Sequence, residues 1–268
     1  MAASPRPGSS HPPGFRKGSF RTPSVILILL LVLVAAGCID DGPAGPAAAG
    51  TSVPAADPPG NFYLAQNVVI PPAGDATGTL PEDRTATAIH DALHPTDPSA
   101  RDFAVSLIRP GHGGTFRISQ ACDIWDGVAA RWTYVEDPRG SEYLSPPGRT
   151  IAVGLKGDCD DYAVLMAALI ESVGGGARIV YAKNGTFSHA YPEVFIGTTP
   201  CEFERAAAYI RVRYGVDTIG CHVTESEAGT LYWLNLDLTA QYPGGPFFVD
   251  DGERVAFYKD GRWERGVS

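Results

Sequence analysis

The chain has 268 residues, 44% of them hydrophobic and 19% charged, with a formal net charge of −9. That hydrophobic share is enough to pack one sizeable core. The acidic balance and the lack of a basic stripe in the globular part exclude nucleic acid as the main partner, because phosphate binding needs clustered Lys and Arg.

Residues 1–24 are rich in Pro, Gly and Ser and carry Arg6, Arg16, Lys17 and Arg21. An apolar run, Val25 to Ala36, follows and leads into Gly37-Cys38. The run is short against the roughly 20 residues that span a bilayer. A basic start, a short apolar stretch and a small-residue site make a secretory signal. Val34-Ala-Ala-Gly-Cys38 resembles a lipoprotein signal box, which implies lipidation of Cys38 and a membrane-anchored, extracytoplasmic protein. The plainer alternatives are an ordinary signal peptide, or an uncleaved anchor, with an incidental cysteine. Residues 39–60 are Pro/Ala/Gly-rich with almost no large apolar side chain, and they read as a flexible tether.

Within 61–118 an apolar run at 67–70 reads as an edge strand, Thr85 to Leu93 as a short helix, and Thr96-Asp97-Pro98 as the start of a helix running to about Ile108. From 119 the pattern is denser. Cys122, Trp125, Val128, Ala129 and Trp132 follow helical spacing. Residues 134–140 read as a turn and 141–156 as a loop. Gly157-Asp-Cys-Asp-Asp-Tyr162 opens a helix whose apolar stripe is Tyr162, Leu165, Met166, Leu169, Ile170 and Val173, ended by Gly174–Gly176. Strands are expected at 178–182, 189–196 and 231–239, a helix at 202–213, and a hairpin around Asp260-Gly261. In the third strand Leu234, Leu236 and Leu238 alternate with Asn235 and Asp237, so the polar pair is expected to point away from the core. Helices first and strands later give an α+β class with a mainly antiparallel sheet.

Cys159 falls in the first turn of its helix, where free N–H groups and the helix dipole favour an anion. Asp158 is a natural N-cap. His189 starts a strand two elements later and can take the thiol proton, and Asp237 on the next strand can hold the other ring nitrogen. The backbone N–H of Cys159 is one candidate oxyanion donor, and Gln120 and Trp132 are side-chain candidates. Asp158, Asp160 and Asp161 lack the glycine and distal Glu of a calcium loop, so no metal and no cofactor is expected. Cys201, Cys221 and His222 lack a fourth zinc ligand, and a Cys201–Cys221 disulfide bracing the 198–230 segment is the preferred reading. Cys122 reads as a core thiol.

Gly157-Asp-Cys159, His189-Ala-Tyr-Pro-Glu-Val and Trp233-Leu-Asn-Leu-Asp237-Leu-Thr resemble, in order, the three motif blocks of the transglutaminase-like superfamily. The resemblance covers about Gln120 to Pro246 and implies a papain-like triad of Cys159, His189 and Asp237. It departs from the pattern in Tyr191, where the family has Trp, and in the long insertion between the His and Asp strands. It implies a thiol enzyme acting on amide bonds of peptides or proteins, as a peptidase, an amidase or an acyl transferase. The alternative is a catalytically inactive binding or scaffolding module that uses Tyr181, Tyr191, Tyr232 and Trp233 as its ligand surface. The expected organisation is therefore a signal peptide with lipobox (1–38), a tether (39–60), a helical extension (61–118) and the catalytic domain (119–268).

Overall fold

A computed structural model of the chain describes residues 68–69, 81–93, 98–138, 143–185, 187–226 and 229–267. The expected leader, Cys38, the tether and the cap at Thr96 lie outside the described residues. In chain order the elements are β1 (Val68–Val69), α1 (Pro81–Leu93), α2 (Pro98–Leu107), α3 (Ile118–Ala129), β2 (Thr133–Tyr134), β3 (Tyr143–Leu144) and α4 (Pro147–Ala152). There follow β4 (Lys156–Gly157), α5 (Cys159–Ser172), β5 (Ala177–Asn184), β6 (Phe187–Gly197) and α6 (Pro200–Tyr214). The chain closes with β7 (Cys221–Ser226), β8 (Gly229–Asn235), β9 (Arg254–Tyr258) and β10 (Trp263–Arg265). Among the described residues no helix is long and apolar enough to cross a membrane.

One six-stranded sheet runs β10-β9-β5-β6-β8-β7, and every neighbouring pair is antiparallel. The expected α+β class and the antiparallel sheet are what the chain forms. Alternation in β5 explains the two layers: Ala177, Ile179 and Tyr181 pack with the helices, while Val180 and Ala182 join Tyr191, Trp233, Ala256 and Tyr258 on the other face. Helices α1, α2, α3 and α4 all touch α5, whose side chains from Asp160 to Ile170 are buried. Each large apolar side chain buried there contributes about 1.5–3 kcal/mol. The helix that carries Cys159 is therefore the central pillar of the fold.

Two expectations are corrected here. Asn235 and Asp237 do not face outward: both are as buried as Leu234 and Leu236. The strand ends at Asn235, and the turn after it folds both polar side chains into hydrogen bonds inside the protein. Nor does the Cys201–Cys221 bridge form, because Cys221 carries a free thiol. It opens the edge strand β7 opposite Leu234, whereas Cys201 lies in the first turn of α6. Charge braces the insertion: Arg213 Nη2 donates to Asp123 at 2.7 Å and to Asp126 at 2.6 Å, and Tyr214 Oη donates to Asp126 at 2.8 Å. These bonds tie α6 to α3.

Candidate active site

The site starts from the Gly157-Asp-Cys159 turn. Lys156 and Gly157 pair in parallel with Thr133 and Tyr134, which fixes where α5 begins. Position 157 has no room for a side chain, since a Cβ there would overlap the Asp161 carboxylate. Asp161 occupies that space because it is tied down. It accepts from the backbone N–H of Ser145 at 2.7 Å and also from the backbone N–H of Asp158. The second bond is half of a capping box, from the third helical residue back to the cap. Asp158 is the cap residue as expected, but its own side chain makes no capping bond. The result is a helix start held from three sides, with Cys159 as first helical residue, half-buried and free.

His189 lies on β6 and Asp237 just past β8, and β6 and β8 are neighbours in the sheet. Nε2 of His189 and Oδ2 of Asp237 are 2.8 Å apart. The Cys159 side chain acts on the same imidazole from close by, and with Nε2 on Asp237, Nδ1 is the nitrogen left to face sulfur. The three residues singled out from sequence are thus brought together. Burial opposes charge on His189, but bonds to Asp237 and then Cys159 outweigh it and push the imidazole up to about 9.

Asp237 is held by more than His189. Its Oδ1 accepts from the backbone N–H of Thr239 at 3.0 Å, and its own N–H donates to Asn235 Oδ1 at 2.9 Å. Trp125 Nε1 donates to its carbonyl at 3.3 Å, and Tyr162 Oη donates to the carbonyl of Leu236 at 3.3 Å. Asn235, not singled out from sequence, also donates to the carbonyl of Pro246 at 3.0 Å. It links the Asp237 turn to the segment bearing Phe247 and Phe248. Phe248 rests on the His189 ring with centroids 5.1 Å apart, and Tyr191 stacks on it at 6.0 Å. The sequence signal for Asn235 was its place two residues before Asp237, but surface alternation was the wrong frame for it.

Gln120 is not available as an oxyanion donor, because its Nε2 donates to the carbonyls of His112 at 2.8 Å and Gly114 at 3.3 Å, which takes both of its hydrogens. Trp132 Nε1 is buried without a partner among the described residues, on a ring set edge-on to Tyr162 at 5.1 Å. Tyr191 and Trp233 are buried in the second core cluster, so the four-residue aromatic ligand surface does not exist as a surface. Asp158, Asp160 and Asp161 each place a carboxylate oxygen within 4.8 Å of the others, a set that suits a divalent cation by type and spacing. Burial, then the Asp158 carboxyl, pushes Asp160 up to about 10. Burial also pushes Asp161 up to about 7. Cys122 is a core thiol that burial pushes up to about 12.

A thiol at a helix start against an imidazole on an antiparallel sheet, with a carboxylate behind the imidazole, is the arrangement of thiol acyl-transfer proteins. Residues 102–211 match the model of the transglutaminase-like superfamily, in which cysteine-based acyl transfer and proteolysis are common. The match takes in Cys159 and His189 and ends before Asp237. No curated protein and no solved structure matches the chain.

Proposed function

We propose that the chain is an extracytoplasmic thiol enzyme that cleaves or transfers amide bonds of peptides or proteins, held at a membrane by lipid on Cys38. The observation that carries the chemistry is the contact chain from the Cys159 side chain through His189 to Asp237. With the imidazole held up to about 9, the proton shared between Cys159 and His189 already rests on the ring as sulfur bonds to the amide carbonyl carbon. The backbone N–H of Cys159 and Trp132 Nε1 are the donors assigned to the resulting oxyanion. The imidazolium then protonates the departing amine as the C–N bond breaks, leaving a thioester. Water gives hydrolysis and a second amine gives transfer. The signal-like N-terminus supports the location, and the fold alone does not choose between the two outcomes.

Competitive alkylation tests the site. Iodoacetamide at neutral pH is expected to label Cys159 well before Cys122, which is buried and held in its thiol form. Peptide mapping by mass spectrometry reads the order. Equal labelling of the two, or labelling of Cys159 that His189→Ala leaves unchanged, counts against an activated nucleophile.

A further inference from the structure

Alternation along β6 puts Phe187, His189 and Tyr191 on one face of the sheet, while Ala190 faces the helices. On the His189 face, the segment between β8 and β9 covers the imidazole. The Phe248 ring lies 5.1 Å from the His189 ring and packs against the second core cluster. Val249 follows, and its carbonyl accepts from Asn184 Nδ2 at 2.7 Å. Asn184 is the cross-strand partner of Phe187, so Val249 and Phe187 meet at the same end of the β5–β6 hairpin. Asp251 ties the segment down there: its N–H donates to the Lys183 carbonyl at 2.9 Å, and its carboxylate accepts from Gly185 N–H at 2.9 Å.

Two of these side chains are left in water, Phe187 at 75% and Val249 at 77% exposure. Single exposed apolar side chains are ordinary, but here Phe187, Phe248 and Val249 form one strip beside the catalytic imidazole. The chemistry decides what that strip touches. The imidazolium hands its proton to the departing amine, so the amine nitrogen lies against the ring while the acyl half stays on sulfur. Whatever is attached to that nitrogen therefore lies on the His189 side, over Phe248 and towards Phe187 and Val249. An apolar substituent takes the strip out of water, and a charged one leaves it wet.

Building on the thiol-enzyme reading above, we infer that Phe187, Phe248 and Val249 form the subsite for the amine half of the exchange, and that it takes an amine bearing an apolar side chain. In cleavage the strip holds the departing residue. In transfer the incoming amine nitrogen bonds to the thioester carbonyl carbon as the C–S bond breaks, its proton passes to His189, and the Cys159 thiolate is restored.

Partitioning of an acyl-enzyme tests it. p-Nitrophenyl acetate acetylates Cys159 with release of p-nitrophenol, and the thioester is then offered phenylalaninamide, glycinamide, lysinamide or glutamic acid 1-amide at equal free-amine concentration. Mass spectrometry reads each N-acetyl amide against acetate, corrected for the aminolysis of S-acetylglutathione by the same amine. Phenylalaninamide is expected to be favoured over the other three by about tenfold or more, the discrimination an apolar contact gives. Phe187→Ser combined with Val249→Ser should bring the four corrected yields together, with a native circular dichroism spectrum showing that the variant folds. Equal corrected yields in the native protein, hydrolysis alone with every amine, or a preference that the folded double variant keeps overturns the subsite and leaves the enzyme reading standing. Acetylation of Cys159 no faster than that of Cys122 overturns both.

Discussion

Replacing Asp237 by asparagine keeps the shape of the site and removes one charge. In the native protein one carboxylate oxygen accepts from Thr239 N–H at 3.0 Å and the other meets His189 Nε2 at 2.8 Å. An amide has one acceptor oxygen for those two donors. With the oxygen on Thr239, the NH₂ group points at Nε2, so the neutral ring must carry its proton on Nδ1, facing Cys159. The base then has no lone pair for the thiol. With the amide reversed, two N–H groups collide at Thr239, where the Asp237 side chain is only 1% exposed and water cannot help. The carboxylate is also a main reason that His189 rises from 6.5 to about 9, against the pull of burial. At about 1.4 kcal/mol per pH unit, that rise corresponds to about 3 kcal/mol of native-state stability, shared between Asp237 and Cys159. The group is a base with a raised value, so the contribution is complete below 6.5 and is lost as pH climbs through 9. Asp237→Asn should lose about 1–3 kcal/mol at slightly acid pH and show a flatter fall across that window. Urea unfolding at the two ends of the window measures both effects. Amide turnover should drop by about 10⁴-fold, as the same exchange does in a Ser-His-Asp site. A variant with the native pH slope and native turnover would refute the role given to Asp237.

Two further changes probe the helix start. Gly157→Ala drives a methyl group into the Asp161 carboxylate and should cost about 1–3 kcal/mol, with Cys159 alkylation slowed as α5 shifts; an unchanged melting temperature would show that Asp161 yields freely. Asp160→Asn removes an acid whose folded value, about 10, lies far above its ordinary 3.8. The native state there binds a proton that the unfolded chain releases, so native stability falls as pH rises from about 4 towards 10. The variant should therefore gain stability at pH 8 and little at pH 4, and a gain of equal size at both in calorimetry would contradict this.

Much of the site was legible because its signals are local. The Gly-Asp-Cys start, the apolar stripe from Tyr162 to Ile170 and the closing glycines define α5 without any tertiary information. The hairpin at Asp260-Gly261 was legible for the same reason, since Trp263 pairs with Phe257 as turn chemistry requires. What failed depends on distant partners. Alternation put Asn235 and Asp237 on a wet face, but His189, Thr239 and the Pro246 carbonyl satisfy them inside. A cysteine pair suggested a staple, and no sequence rule announces that Arg213 finds Asp123, 90 positions away. The prolines of α4 read as loop in the sequence, although Pro at the first helical positions starts a helix. Edge strand β7 alternates too weakly to be seen, being half-exposed along its length.

The placement of β9 has a consequence for how the chain reaches its native state. Arg178 and Tyr258 are cross-strand neighbours although 80 positions separate them. Until the last strands emerge, β5 keeps one edge bare, with Ile179 and Val180 beside unpaired amides, and such edges recruit other chains. A nascent polypeptide synthesised from its N-terminus would thus carry its thiol pillar early and remain aggregation-prone late. Rapid completion, or a holdase acting on the unfinished chain, would matter more for yield than any single contact in the finished core.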